Sequence, residues 1–264
     1  MNRIRFKSDG PRSGRAVKAG VFVQVTVIVM SALAGCSKKE TPKSVEMIIR
    51  DFEVAMFGEN PDPNHLSTVT KLKLLGPERQ VGWEITARAK APNHLQKITT
   101  NAEGMPLMVE TFNGETAWID YLGKRRILEG ENLTEYARMA NFKRFANLKK
   151  EYASIELADS NEFEGKQYDS LKCTWPEGDS EVIHFDRETH LIAAIVGEKR
   201  THKVLEHGHL NGRRYWKSVI GITAENKDEP VRIEVTDIQY NQDIEDSRFE
   251  FIPLELPEAQ ASPN

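Results

Sequence analysis

Cysteine is almost absent from this sequence: Cys36 and Cys173 are the only two in 264 residues. Two cysteines cannot build a multi-disulfide framework, and they supply no Cys pair at the spacing of a zinc site. The chain also lacks a Gly-x-Ser-x-Gly elbow, a His-Glu-x-x-His pair and a P-loop. These absences argue against common hydrolases, metalloproteases and nucleotide-binding enzymes, and we expect no enzyme and no catalytic residues.

Histidine is also scarce, with seven residues, and the richest cluster is His202, His207 and His209. His207 and His209 lie two residues apart and would share a strand face, but no third ligand completes the set. We therefore expect surface histidines and no metal. His184 and Asp186 also share a predicted strand face, without a nucleophile that the sequence marks.

An excess of positive charge is missing too, since 36 basic residues face 40 acidic ones. Six of the basic residues precede residue 19, so the rest of the chain is more acidic than the formal net charge of −4 indicates. Binding to nucleic acid needs a basic face. We therefore exclude nucleic acid as a partner.

Long apolar runs are limited to residues 19–35, which follow the basic N-terminus. This run of about 17 residues is marginal for spanning a bilayer, and it includes Gln24 and Thr26. A basic start, a short apolar stretch and small residues at its end are typical of a secretory signal. An uncleaved transmembrane anchor is the alternative.

The run ends in Leu33-Ala34-Gly35-Cys36, which resembles the lipobox of bacterial lipoproteins. In that family the signal is cut before the cysteine, which carries a diacylglycerol, and the new N-terminus is usually acylated. The resemblance implies a signal peptide over residues 1–35 and a covalent lipid anchor on Cys36. Two or more acyl chains anchor a protein stably.

Residues 36–43 would then form a lipidated tether that reaches at most about 25 Å. The domain would stay close to the membrane surface. In the enterobacterial sorting pattern, a residue other than Asp after the lipidated cysteine is typical of delivery to the outer membrane. Ser37 therefore predicts a periplasm-facing protein, at the outer membrane in preference to the inner one.

The first predicted element of the mature chain is a helix over residues 44–57. Ser44 is a suitable N-cap, and Gly58 ends the pattern. The apolar positions recur at helical spacing: Val45, Ile48, Ile49, Phe52 and Met56.

The remaining chain alternates with a period of two, as in residues 81–90, which is typical of half-buried antiparallel strands. Asn113-Gly114 and Asn211-Gly212 predict type I′ hairpins. Residues 131–150 predict one or two helices. We expect about ten or eleven strands in one mainly β (α+β) domain over residues 44–256. Residues 257–264 are expected to be a disordered tail.

Five short segments in order resemble the LolA/LolB-like superfamily of lipoprotein-localisation and lipid-carrier proteins, over residues 45–253. The segments are VGWE at 81–84, KAPNHL at 90–95, FNGETAW at 112–118, FDRETHLI at 185–192 and FEFIP at 249–253. Gln96 departs from the family pattern, which has Arg after this strand start.

The resemblance implies a strongly curved antiparallel sheet, an incomplete barrel with a helical lid, and an apolar cavity for acyl chains on the concave side. Core packing is the alternative role for every candidate cavity residue. The candidates are Trp83, Met105, Leu107, Val109, Trp118, Trp175, Tyr215 and Trp216. Cys173 alternates with Leu171 and Trp175, which predicts a buried structural thiol.

Two functions follow from the resemblance. The first is a membrane-anchored lipoprotein that binds acyl chains of lipids or lipoproteins, in lipid or lipoprotein trafficking at the outer membrane. The second is an RseB-like sensor that binds a membrane protein partner. Neither needs a cofactor besides the covalent lipid on Cys36.

Overall fold

The computed structural model describes residues 43–58, 66–224 and 226–250. The predicted signal peptide, Cys36 and the predicted tail from residue 257 lie outside these ranges. No helix within them combines the length and the apolar character needed to cross a membrane.

Helix α1, Val45–Phe57, forms as its apolar spacing predicts. The Ser44 side chain caps it by accepting a hydrogen bond from the Met47 backbone N–H at 3.3 Å. Gly58 ends the helix with a φ of 71°, a conformation that glycine adopts readily. The buried side is the predicted one and includes Phe52, which is fully buried.

Strands make up most of the remaining described chain. Their bounds are β1 Ser67–Gly76, β2 Glu84–Lys90, β3 His94–Thr100, β4 Pro106–Phe112, β5 Ala117–Tyr121, β6 Lys124–Leu128, β7 Ser154–Leu157, β8 Glu162–Phe163, β9 Lys166–Gln167, β10 Asp169–Thr174, β11 Ser180–Phe185, β12 Ile192–Gly197, β13 Arg200–Leu210, β14 Arg213–Thr223 and β15 Val231–Tyr240. Helices α2, Gly130–Ala140, and α3, Leu148–Glu151, lie between β6 and β7.

Thirteen of these strands form one curved antiparallel sheet in the order β6-β5-β4-β3-β2-β1-β15-β14-β13-β12-β11-β10-β7. The pairing of β1 with β15 joins an N-terminal half, β1–β6, to a C-terminal half. Within the described chain the outer strands β6 and β7 do not pair with each other, so the sheet stays open. The predicted fold class, an incomplete barrel with helices, is confirmed.

The sheet has more strands than the ten or eleven predicted, and β6 is one that the alternation missed. Its sequence, KRRIL, is exposed at every position except Leu128, so no buried side produces a period of two. The hairpin before it has a two-residue turn in which Leu122 and Gly123 both have positive φ, but Leu-Gly is not one of the residue pairs that mark such a turn in a sequence.

Both main helices cover the same face of the sheet, which we call the inner face. Helix α1 packs on the C-terminal half, against Leu171, Ile183 and neighbouring side chains. Helix α2 packs on the N-terminal half, where Tyr136 meets Phe112. The residue pairs followed from strand to strand show that these positions lie on the same face of the sheet. The core is therefore divided into two apolar clusters, one under each helix.

The two predicted Asn-Gly hairpins differ. Asn211 and Gly212 both have positive φ, at 52° and 77°, which confirms the type I′ turn. Between β4 and β5 only Gly114 has positive φ. Asn113 instead accepts backbone hydrogen bonds from Glu115 and Thr116 through its side chain. The type I′ prediction is wrong there, because this Asx-type turn is longer.

Candidate functional site

A cavity of about 340 Å³ lies on the inner face, between the segment from Glu135 to Phe145 and strands of the C-terminal half. One part of its lining is apolar, with Phe142, Ile195 and Trp216. The other part is polar and includes Arg144. The cavity that the resemblance implies is therefore present among the described residues, but its lining is apolar only in part.

The strand register brings the cavity's side chains together. Glu181 pairs with Gly197 across β11 and β12, and Ile195 pairs with His202 across β12 and β13. Successive residues of a strand point to opposite faces, so these positions share the inner face. Trp175, which directly follows β10, completes the wall.

The indole of Trp175 is surrounded by charged and aromatic groups. Tyr152 packs against it with 4.3 Å between ring centroids. The guanidinium carbons of Arg138 and Arg144 lie 4.6 and 5.1 Å from the indole centroid. Stacking on an aromatic face suits the flat guanidinium and lets both cations be partly buried.

The Glu181 carboxylate lines the cavity and forms hydrogen bonds with two other side chains. Its Oε1 accepts from Arg144 Nη2 and from the Tyr152 hydroxyl, and Arg144 Nη2 lies 3.1 Å from the same hydroxyl. The Arg144 and Glu181 side chains are 16% and 13% exposed. Burial, together with Glu181, raises the pKa of Tyr152. Tyr152 therefore stays protonated and donates.

His202 also lines the cavity and is half-buried. Burial, with the charges of Arg200 and Arg144, lowers the pKa of His202 to about 4. The prediction of a surface histidine is wrong for His202, because the alternation of β13 turns it to the inner face. His207 is half-buried as well, and His209 is exposed.

Ion pairs join α2 to the two hairpins on the other side of the cavity. Arg138 contacts Glu177 at 2.6 Å and Asp179 at 3.1 Å, in the turn between β10 and β11. Glu135 contacts Arg200 at 2.8 Å, next to the turn between β12 and β13. Helix α2 is thus held by apolar packing on one side and by charges on the other.

A second polar group lies under α2 in the N-terminal half. Lys97 and Glu110 are cross-strand partners on the inner face and form an ion pair at 3.0 Å. The Lys97 ammonium lies 5.1 Å from the centre of the Tyr136 ring. Burial, with the nearby Glu110, raises the pKa of Tyr136. The inner face is therefore not uniformly apolar in either half.

Of the predicted cavity residues, Trp175 and Trp216 line this cavity. Trp83 directly precedes β2, and Met105 lies in the connection before β4. Neither is among the residues that line this cavity. Their assignment as ligand contacts stays a prediction.

The other four candidates lie on the outer face. Leu107 and Val109 alternate with Met108 on β4, and Trp118 follows Ala117, which packs under α2. Tyr215 likewise precedes the inward-facing Trp216. Since neighbouring strand residues face opposite ways, contact of these four with a ligand on the inner face would need a different register.

Ser170 and His184 form a buried pair that the sequence did not reveal. Ser170 Oγ lies 2.9 Å from His184 Nδ1, and the residues are 1% and 4% exposed. Phe163 stacks on the imidazole from the β8–β9 hairpin. Burial lowers the pKa of His184, which stays neutral at pH 7. Asp186, its predicted partner, instead bonds to Lys166 at 2.6 Å.

Two further predictions concern metals and thiols. No group of three or more His, Cys, Asp or Glu side chains suited to a metal occurs among the described residues. Cys173 is fully buried, and burial raises the pKa of its thiol to about 12. The prediction of a buried structural thiol is confirmed.

Solved structures with a similar fold were found. No protein-family profile and no curated protein matches the chain. A LolA superfamily protein from Nitrosomonas europaea is 12% identical, with a TM-score of 0.53. The match covers 79% of this chain and 98% of that protein. This chain has the LolA fold.

A second match is to a DUF1329 family protein from Desulfovibrio piger, also 12% identical, with a TM-score of 0.52. It again covers 79% of this chain and 98% of that protein. Identities this low concern the LolA fold alone. What the cavity binds must therefore be argued from its own residues.

Proposed function

We propose that this protein binds an acyl chain of a lipid or lipoprotein in the inner-face cavity, while lipid on Cys36 anchors it to the outer membrane. The observation that carries the proposal is the cavity itself, a partly open space beside α2 with an aromatic and aliphatic wall. Burial of a chain there would be favourable by about 0.8 kcal/mol for each methylene group.

The size of the cavity limits what fits while α2 stays in place. A volume of about 340 Å³ lies near the lower end of small-molecule pockets. A methylene group needs roughly the space of a water molecule, ~30 Å³, so roughly ten or eleven of them fit. A longer chain such as palmitate would extend out of the open side of the cavity, and a second chain would require movement of α2, whose contacts across the cavity are ion pairs.

Photo-crosslinking tests the proposal with the full-length protein in lipid nanodiscs. Palmitate that carries a diazirine near its chain end would be added, activated by light, and located by peptide mass spectrometry. We expect labels on the peptides that contain Phe142 and Trp216. Labels spread evenly over exposed residues such as Leu205, or no label, would contradict acyl binding in this cavity.

Gly197 offers a variant that fills the cavity. A Cβ there would meet the Arg200 carbonyl oxygen at 3.5 Å and Glu181 Cβ at 4.0 Å, which are ordinary contacts. Gly197→Leu should therefore fold and occupy part of the space, and we expect at least a tenfold loss of labelling. Val196→Leu, on the opposite face of β12, is the matched control and should keep it.

The RseB-like sensor remains the second hypothesis, and it predicts a membrane protein partner in place of a lipid. This hypothesis and acyl binding predict different results in one experiment. Crosslinking in cells would capture a defined membrane protein while native mass spectrometry would detect no bound lipid.

A further inference from the structure

Three buried N–H groups in the cavity lining have no hydrogen-bond acceptor among the described residues: Arg138 Nε, Arg144 Nε and Trp216 Nε1. The two arginine side chains are only 14% and 16% exposed. A buried donor without an acceptor is unfavourable and is uncommon in proteins. The three nitrogens are almost inaccessible to solvent in this structure, so a ligand that brings acceptor oxygens would satisfy them after a small shift of the side chains that cover them.

The carboxylates nearest to these donors are already engaged by other atoms. Glu181 accepts from Arg144 Nη2 and Tyr152, as described above. Glu177 and Asp179 accept from the terminal nitrogens of Arg138. Among the described residues that line the cavity, the buried polar atoms without any partner are therefore all donors, and two of them belong to ion-paired arginines.

The cationic and apolar parts of the cavity lie side by side. Arg144 is 4.6 Å from the centre of the Phe145 ring, and this ring is 4.9 Å from that of Trp216. His202 is neutral at pH 7 because burial and the neighbouring arginines depress its pKa. The lining as a whole carries as many carboxylates as cations, and the cations nearest to the aromatic wall are the ion-paired Arg138 and Arg144.

We infer, on the basis of the proposed function, that the ligand is an amphiphile with an anionic oxygen head, a carboxylate or a phosphate. The head oxygens accept hydrogen bonds from Arg138, Arg144 and Trp216. The chain lies along Phe142 and Ile195. Guanidinium groups suit both heads, since their N–H groups match planar carboxylates and phosphates.

Ligands that share one chain length but differ in the head group separate the contribution of the head to binding from that of the chain. Decanoate, decyl phosphate and methyl decanoate would be titrated into the full-length protein in phosphatidylcholine nanodiscs, with tryptophan fluorescence as the signal and empty nanodiscs as the blank. We expect both anions to bind at least tenfold more tightly than the methyl ester. Inorganic phosphate alone, which lacks the chain, should bind at least tenfold more weakly than decyl phosphate.

Two variants test the role of Arg144. Arg144→Gln should weaken binding of decanoate at least tenfold and of methyl decanoate less than twofold. Glu181→Gln removes the carboxylate that competes for Arg144 and should strengthen decanoate binding. Arg50→Gln is the control for lost charge, because Arg50 is a 70% exposed side chain on α1; it should leave both affinities unchanged.

The outcomes separate this inference from the proposed function. Methyl decanoate that binds as tightly as decanoate would overturn the anionic head and leave acyl binding intact. Equal losses for both ligands in Arg144→Gln would mean that Arg144 only supports the fold. Binding of none of the chain-bearing ligands, with no photo-label in the cavity, would overturn both proposals.

Discussion

Gly208 and Tyr215 face each other across β13 and β14, and the ring lies over the glycine. A Cβ on Gly208 would be 2.2 Å from Tyr215 Cζ, so the ring must rotate away. We expect Gly208→Ala to destabilise the protein by about 1 kcal/mol, the cost of an off-rotamer ring. Urea unfolding measures the change.

Gly221 is the matched control, since a Cβ there would meet its nearest atoms at 3.9 Å. Gly221→Ala should change the free energy of unfolding by less than half as much. If Tyr215→Ala abolishes the effect of Gly208→Ala, the ring is its cause. An unchanged effect in that double variant would contradict the explanation.

The lowered pKa of His202 makes stability depend on pH. The unfolded histidine titrates near 6.5 and the folded one at about 4. The unfolded state therefore takes up the proton first as pH falls. The stability of the folded state is complete above about pH 6.5 and decreases between about pH 6.5 and 4.

His202→Gln should remove part of this decrease. We expect the loss of unfolding free energy between pH 7 and pH 4 to be smaller than in the wild type by about 3 kcal/mol. Urea unfolding at pH 7, 5.5 and 4 provides the measurement. His209→Gln, at an exposed position of the same strand, is the control; an equal effect there would refute the assignment.

At the scale of elements, helix α2 is held in two different ways. Tyr136 is 5% exposed in the N-terminal core cluster, whereas Glu135 makes ion pairs at the surface. Tyr136→Ala should cost about 3–5 kcal/mol of stability. Glu135→Gln should cost at most about 1 kcal/mol, because exposed ion pairs contribute little.

Hydrogen exchange distinguishes the ionic contacts of α2 from its apolar contacts more directly than the global free energy of unfolding does. Glu135→Gln should increase exchange of the α2 amides with little change elsewhere, because only the ionic side is released. Tyr136→Ala should increase exchange throughout the N-terminal half. Equal global losses of stability in both variants would show that the ion pairs are as important as the apolar packing.

Helix α1 and most strands could be predicted from the sequence because each carries its own period. The apolar spacing of α1 and its Ser44 cap are local signals. Edge strand β6 and the β8–β9 hairpin carry no such signal, since they are short and largely exposed. The turn rule failed at Asn113 because its side chain accepts backbone hydrogen bonds, and a longer turn forms in place of the predicted type I′ turn.

At the scale of the molecule, the predicted lipid anchor can be tested directly. Tagged palmitate should label the wild-type protein in growing bacteria on the peptide that begins at Cys36. Cys36→Ser should lose this label, because serine has no thiol to carry the diacylglycerol. The intact mass of the purified wild-type protein should show cleavage after Gly35 and the added lipid. An unmodified Cys36 would contradict the anchor.

The candidate site was predictable only in part. Trp175 and Trp216 were among the expected cavity residues because they are large, aromatic and set in alternating strands. Leu107 and Val109 are apolar and also alternate with their neighbours, but they lie on the outer face. Alternation in the sequence indicates that a strand has two different faces. It does not indicate which face points inward, because that depends on which face the helices cover.

The sequence by itself determined helix α1, most of the strands and the type I′ turn at Asn211-Gly212, because each depends on neighbouring residues, while the curved sheet was implied by the family resemblance. The tertiary structure decided that Arg144, Tyr152 and Glu181 meet beside Trp175. Arg144 and Glu181 are 37 positions apart. Their meeting depends on strand register and on where the α2–α3 segment lies over the sheet. Neither follows from a local period, so the cavity and its ion-paired arginines could be found only in the folded chain.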